Sequence, residues 1–255
     1  MKGQAEPMRA QGGKSVYGAA VGILMLEARF PRIPGDMGNA LTWPFPVLYR
    51  VVRGATPDRV VRQGAAGLKD AFIDAARELV ADGADGITTN CGFLSLFQHD
   101  LGAAAGVPVA ASSLSQVRWL DGVLPPGKCP GILTVSAETL TPAHLAAAGV
   151  PADTPIVGTD GGREFTRAIL GNEPALDVVA AEADILDAGR QFVETHENVG
   201  AIVLECTNMV PYAARLRAEI GLPVFSIQTM VTWFQAGLMP PQFQREMIDT
   251  RPEFG

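Results

Sequence analysis

Basic runs, metal-ligand motifs and long apolar stretches are all missing from this chain, and each absence removes a class of function. The 255 residues include three cysteines. That odd number in a long chain builds no disulfide framework and suits a reducing cytoplasm. His99, His144 and His196 share no metal-ligand spacing, and no CxxC or HExxH occurs, so no zinc site is expected. Gly161-Gly162-Arg163 stands without any GxGxxG or Walker pattern around it, which leaves nucleotide binding unsupported. No cofactor is expected. With 20 Lys and Arg against 27 Asp and Glu, the net charge is −7, and nucleic acid is not an expected partner. The apolar runs fall short of a bilayer span, so no membrane partner is expected either. Residues 1–15 carry Lys2, Glu6, Pro7, Arg9 and Lys14 with no apolar core, and read as a flexible leader and not a signal peptide.

What the chain does hold is a large apolar fraction, 47% of residues, enough to bury a full core. Two stretches organise it: Ile87-Thr88-Thr89-Asn90-Cys91-Gly92-Phe93 and Val203-Leu204-Glu205-Cys206-Thr207-Asn208-Met209. Each is an apolar run of the kind that forms a buried parallel strand, each ends in a cysteine flanked by Thr and Asn, and each leads into a helical pattern. The cysteines lie 115 residues apart, and Gly106-Val107-Pro108-Val109 falls on Gly221-Leu222-Pro223-Val224 at the same offset. Val21-Gly22-Ile23-Leu24 similarly matches Pro130-Gly131-Ile132-Leu133. This is a duplicated α/β unit, each copy placing a cysteine at the carboxyl end of a strand, where open α/β sheets carry their chemistry.

In chain order, strands are predicted at 16–26, 45–52, 107–111, 131–135, 155–158, 199–205 and 224–227, besides the one that carries Cys91. Helices are predicted at 68–81, 92–105, 114–124, from about 141, 163–170, 177–196, 211–220 and 230–238. Residues 29–39 are too rich in Pro and Gly for a helix, and form a loop at the carboxyl edge of the first strand, placed to touch a ligand. Pro125-Pro126-Gly127 is the clearest break. The alternation of strands and helices is that of parallel sheets with right-handed crossovers. The tail from Pro240 is polar and reads as surface-packed.

A thiol at a helix start lies near free backbone N–H groups and the positive end of the dipole, both of which favour the thiolate. A single buried cysteine is ordinarily a small hydrophobe. Two at equivalent points of a repeat are a different matter. Gly92 and Phe93 offer backbone amides, and Thr207 and Asn208 offer amides and side chains, for an anion. Two thiols facing one another across a cleft can take a proton from one face of a carbon and return one to the other, while N–H groups stabilise the enolate-like charge. Cys129, beside the break, reads as incidental. Trp43, Trp119 and Trp233 read as core or interface residues.

In Thr89-Asn90-Cys91-Gly92 and Glu205-Cys206-Thr207-Asn208 the sequence resembles the aspartate/glutamate/hydantoin racemase superfamily. Its members are PLP-independent two-cysteine racemases, with maleate isomerase and arylmalonate decarboxylase as relatives. The resemblance implies two pseudo-symmetric parallel-sheet α/β domains with the active site between them. Residues 16–126 would form the first, completed by about 222–240, and residues 128–221 the second. It implies that Cys91 and Cys206 are the acid/base thiols, and that Asn90, Thr207 and Asn208 hold a substrate carboxylate. The loop carrying Asn39 would meet the substrate, and the protein would be a homodimer. Four positions depart from the family pattern. Asn208 stands where glutamate racemases carry His and aspartate racemases Glu. Glu205 replaces the Gly that precedes the second cysteine of glutamate racemases, and Gly92-Phe93 replaces Asn-Thr after the first. The expectation is a cofactor-independent racemase or epimerase of an amino acid or related α-substituted carboxylate. The alternatives are a maleate-type cis-trans isomerase working through a covalent cysteine adduct and a non-catalytic two-lobed small-acid binding protein. The roles of Glu205, Asp36 and Arg53 stay open at this level.

Overall fold

The computed structural model describes residues 10–243. Most of the leader expected at 1–15 and of the tail from Pro240 therefore lies outside the described residues. Inside them, Lys14 is anchored: its Nζ donates to the Gly83 carbonyl at 3.1 Å and pairs with Asp85 at 3.1 Å.

The first half runs β1 (Val21–Leu26), β2 (Val47–Val52), α1 (Pro57–Val61), α2 (Lys69–Asp82), β3 (Gly86–Thr89), α3 (Gln98–Ala105), β4 (Val109–Ala110) and α4 (Gln116–Asp121). The second runs β5 (Cys129–Thr134), α5 (Pro142–Ala147), β6 (Ile156–Gly158), α6 (Phe165–Leu170), α7 (Val178–Thr195), β7 (Val199–Leu204), α8 (Ala213–Ile220), β8 (Val224–Phe225) and α9 (Ile227–Leu238). The result is two four-stranded parallel sheets, in the orders β2-β1-β3-β4 and β6-β5-β7-β8. The α/β class and the duplication read from the sequence are both present. The repeat extends to single hydrogen bonds: Ile87 N–H donates to the Pro108 carbonyl and Ile202 N–H to the Pro223 carbonyl, each at 2.9 Å.

Each sheet is covered by a helix whose apolar stripe faces it. On α2 the buried residues are Phe72, Ala75, Ala76 and Leu79, and on α7 they include Ala181, Ile185, Ala188 and Phe192, the i, i+3, i+4 spacing of one helical face. Asp177 caps α7 by accepting from the N–H groups of Val179 and Ala180. The paired glycines of the repeat now have a reason. A Cβ on Gly22 would stand 2.9 Å from Ile87 Cδ1 and 3.2 Å from Leu79 Cβ, and one on Gly131 would run into the Phe192 ring. Each half keeps a glycine where its central strand meets the covering helix.

The crossover between halves differs in one respect from the expected arrangement. β8 pairs with β7 and so stays in the second sheet; only α9 crosses back. There Ile227, Met230 and Val231 pack with Val21, Ile23 and Met25 of the first half. In the mirrored direction α4 packs on β5 and β7, burying Val117 and Leu120. The first-strand expectation was also too long at its start, since residues 16–20 precede β1. The helix α1 went unpredicted, although Thr56 as cap and Pro57 at the first turn are its signal. Among the described residues no helix is long and apolar enough to cross a membrane.

Replacing Gly131 by alanine forces a methyl group against a fully buried ring, and overpacking of this kind costs about 1–3 kcal/mol. Gly131→Ala and, separately, Gly22→Ala should each lower the unfolding free energy by that amount. The urea midpoint checks it; a wild-type midpoint in either variant would mean that the covering helix moves outward freely.

Candidate functional site

Cys91 and Cys206 follow β3 and β7 after one intervening residue, Asn90 and Glu205, and stand at the carboxyl ends of their sheets. Each holds an extended backbone and opens a 3-10 helix, Gly92–Phe97 after the first and Thr207–Tyr212 after the second. The first had been expected as an ordinary helix from Gly92, and the second as one that starts only at Pro211. The tighter winding is matched in the two halves by Leu94 N–H donating to the Cys91 carbonyl and Met209 N–H to the Cys206 carbonyl, each at 3.1 Å.

One cleft brings both thiols together. Asn90, Glu205, Thr207 and Asn208 join them in its wall, with Gly92, Phe93 and an apolar surface that includes Leu26, Phe30, Val61 and Leu170. The cleft encloses about 340 Å³ of atom-free space, counted with its opening to solvent. Both thiols are buried, Cys91 at 9% and Cys206 at 6% exposure, and burial pushes both up from the ordinary thiol range, with the neighbouring Glu205 carboxyl adding to the effect. The favourable backbone N–H groups expected at a helix start are present, from Phe93 and Leu94 at Cys91 and from Asn208 at Cys206, but desolvation outweighs them.

The surroundings of the two thiols are unequal. Cys206 Sγ donates to Asn208 Oδ1 at 3.6 Å, and Asn208 Nδ2 donates in turn to Asp36 Oδ2. Asp36 is buried, with its other oxygen accepting from Arg32 Nη1 at 2.9 Å and from Gly38 N–H at 2.7 Å. Cys206 thus ends a chain of acceptors that terminates in a carboxylate. Cys91 meets N–H groups and feels the positive charge of Arg32. The Arg32 guanidinium lies 4.9 Å over the Phe30 ring, and its Nη2 is buried without a hydrogen-bond partner.

Several expected carboxylate-holding groups turn out to be engaged elsewhere. Thr207 Oγ1 donates to the Asn90 carbonyl at 2.7 Å, tying the two motif turns together. The Asn208 amide nitrogen is taken by Asp36. Asn39 does not line the cleft: its Nδ2 donates to the Arg32 carbonyl at 2.8 Å and its Oδ1 accepts from Leu41 N–H at 3.0 Å, so it shapes the loop. Asn90 accepts from Leu26 N–H through Oδ1 at 2.7 Å, and no described residue accepts from its Nδ2. Arg53 lies on the surface, paired with Glu27. Sequence reasoning missed Arg32 altogether. Its only signal is a lone cation inside the Pro- and Gly-rich loop that had been placed at the ligand. Among the described residues no three His, Cys, Asp or Glu side chains stand together as a metal site.

Glu205 occupies the seam between the halves. It is 1% exposed; Thr134 Oγ1 donates to its Oε2 at 2.7 Å, while Oε1 has no hydrogen-bond partner. A Cβ on Gly92 would overlap Oε1, which explains the glycine after the first cysteine. Burial raises the Glu205 carboxyl to about 7, against the opposing pull of the Thr134 hydroxyl and of the Val135 and Phe93 N–H groups, which come near without reaching hydrogen-bond geometry.

No family model matches the chain. Among curated proteins it is 29% identical over 239 residues to a dimethylsulfoniopropionate lyase of Durusdinium sp. clade D, covering 88% of this chain and 77% of that one. It is also 29% identical over 242 residues to dimethylsulfoniopropionate lyase 7 of Emiliania huxleyi, covering 88% and 69%. These relatives correct the racemase expectation: they point to a lyase. Among solved structures, an arylmalonate decarboxylase variant in a sulfate-associated form superposes with a TM-score of 0.58 at 16% identity, covering 89% of this chain and 96% of that one. The aspartate racemase of Picrophilus torridus gives 0.53 at 15% identity, covering 86% and 95%. The relatives and the structural neighbours are enzymes. Two parallel sheets of order 2-1-3-4, each ending in a cysteine at a shared cleft, give this chain the fold of the aspartate/glutamate racemase superfamily.

Proposed function

We propose that the protein is a lyase acting on dimethylsulfoniopropionate or a closely similar β-sulfonio carboxylate. The observation that carries the reading, beside the lyase relatives, is the inequality of the two thiols. In this reaction a base removes the proton α to the carboxylate. The electrons form the carbon–carbon double bond, the β C–S bond breaks, and the sulfur leaves with its electron pair as neutral dimethyl sulfide. A neutral leaving group needs no proton, so one base suffices.

Cys91 is that base. Burial and the Glu205 carboxyl disfavour its thiolate, and N–H donors and a positive charge work against them. Cys206 keeps its proton, because it already donates to an amide oxygen that cannot accept it outright. In this role it stands as a neutral wall and donor opposite the base. The substrate carboxylate takes the free Nδ2 of Asn90 in the cleft wall and, once Arg32 turns inward from behind that wall, its unpartnered Nη2. The two S-methyl groups lie against the apolar wall of Phe30, Val61 and Leu170.

Incubation of the purified protein with dimethylsulfoniopropionate should release dimethyl sulfide into the headspace. Cys91→Ser should lower kcat/KM by between about a hundredfold and ten-thousandfold. Cys206→Ser should lose far less, since a hydroxyl still donates to Asn208. No sulfide release, or equal and complete loss in both variants, would overturn the assignment.

Arg32→Lys keeps a cation beside Asp36 and removes the second nitrogen. Its expected effect is a KM raised by about tenfold with kcat within a few fold of wild type. An unchanged KM with a collapsed kcat would place Arg32 outside carboxylate binding.

A further inference from the structure

Glu205 is a buried carboxyl with no part in the proposed elimination. No Lys or Arg pairs with it among the described residues. An ionised carboxylate so placed carries a heavy desolvation cost, which structural proteins avoid by pairing or replacing the group. Here it is kept, one oxygen held by Thr134 and the other left free beside the Cys91–Gly92 turn, in the wall of the cleft that contains both thiols. The absence of a side chain on Gly92 is what admits Oε1 to that position.

We propose that Glu205 and Cys91 hold a single proton between them, with Glu205 as the outlet by which the proton taken from substrate leaves the buried thiol. The inference rests on the lyase reading only for the source of that proton. In the reactive form, which burial keeps in the minority, Cys91 is the thiolate and Glu205 the neutral acid. Substrate gives its α-proton to Cys91 Sγ. Glu205 then loses its proton to water, and the thiol passes its own proton to the freed carboxylate, restoring the thiolate. The sum is one proton released for each substrate cleaved, as conversion of a zwitterion to a carboxylate anion and a neutral sulfide requires. Direct transfer or one intervening water serves equally.

Other charged or titratable groups face this pair. Cys206 lies beside Glu205, Arg32 and Asp36 come from the loop after β1, and His144 on α5 packs edge-on to Phe93 with its ring centroid 5.0 Å away. Arg32 and Asp36 neutralise one another at 2.9 Å, Cys206 is held as a thiol, and burial holds His144 toward its neutral form. Glu205 is the one among them with a free oxygen at the Cys91 turn.

A shared proton has a signature that needs no substrate. Below the carboxyl's titration the thiolate fraction rises with pH. Above it, ionised Glu205 opposes the thiolate, and the fraction levels off. Alkylation of Cys91 by iodoacetamide, mapped by peptide mass, should therefore climb and then flatten above about pH 7 in the wild-type protein. In Glu205→Gln it should keep climbing by about tenfold per pH unit through pH 9. Below the break the two rates should agree within a few fold. Thr134→Val removes the hydroxyl that stabilises the carboxylate, and should move the break upward; it also serves if the glutamine variant fails to fold. Superimposed profiles for wild type and both variants would overturn the proposal, as would a Cys91 unreactive at every pH. A protein that shows the break but releases no dimethyl sulfide would sink the lyase reading and leave the shared proton standing.

Discussion

One hydrogen bond holds the site in being: Thr207 Oγ1, at the turn after β7, donates to the carbonyl of Asn90, at the turn after β3, over 2.7 Å. Each turn is already hooked to its own sheet. Asn90 N–H donates to the Leu24 carbonyl and Glu205 N–H to the Leu133 carbonyl, both at 2.9 Å. The Thr207 bond joins these two rigid pieces at the point where the chemistry is done. Ser113 adds a second tie, its hydroxyl donating to the Leu204 carbonyl at 2.7 Å. Side chains supported in this way reach a fixed separation without help from substrate, which is the preorganisation that proton transfer from carbon demands.

The same closeness brings an electrostatic problem, and its handling sets the chemistry. Two thiols and a carboxyl are buried within one seam, and desolvation disfavours every charged form. The loop after β1 supplies a counter-charge in Arg32, but spends half of it on Asp36. What remains acts on Cys91, while Asp36, through Asn208, acts on Cys206. A duplicated scaffold that begins with two equivalent cysteines is thereby made unequal by a loop present in one half only. Gly35, in that loop, reaches the second half directly, with Pro211 Cα only 3.0 Å from where its Cβ would stand.

Much of this was legible from residues alone, because duplication doubles every signal. The 115-residue offset located both strand ends and both cysteines, and the apolar runs of β3 and β7 are long enough to tell from loops. The Pro- and Gly-rich loop was also placed correctly at the carboxyl edge. The remainder depended on contacts that no local pattern carries. Gly92-Phe93-Leu94-Ser95 has the apolar spacing of an ordinary helix, and its tighter winding accompanies a tertiary bond, Ser95 Oγ donating to the His144 carbonyl at 3.1 Å. Asn39 and Asn208 were read as free amides because a sequence does not show which amides a loop consumes. Arg32 was passed over because an arginine in a polar loop is ordinarily solvated; here Phe30 and Asp36 bury it. The pairing of β8 turned on two residues, Val224 and Phe225, too few to declare their sheet.

The inequality of the thiols also bears on the proposed choice of a lyase over a racemase. A racemase must run in both directions, so each of its two bases has to be thiolate in one direction and thiol in the other, and a large standing difference between them slows one direction by the full cost of that difference. An elimination that expels a neutral sulfide has no such symmetry to keep. Its second cysteine can be held permanently protonated, and in the proposed lyase the Asp36–Asn208–Cys206 chain has that role. Glu205 fits the same logic. A two-thiol racemase gains no net proton in a turnover, since one sulfur gives a proton as the other takes one, whereas a lyase accumulates one proton per cycle at a buried sulfur and stalls unless something carries it off. A carboxyl poised near neutrality, one oxygen free at the seam, is suited to that duty. On the proposed lyase reading, Glu205 where glutamate racemases carry glycine and Asn208 where they carry histidine express one change of chemistry.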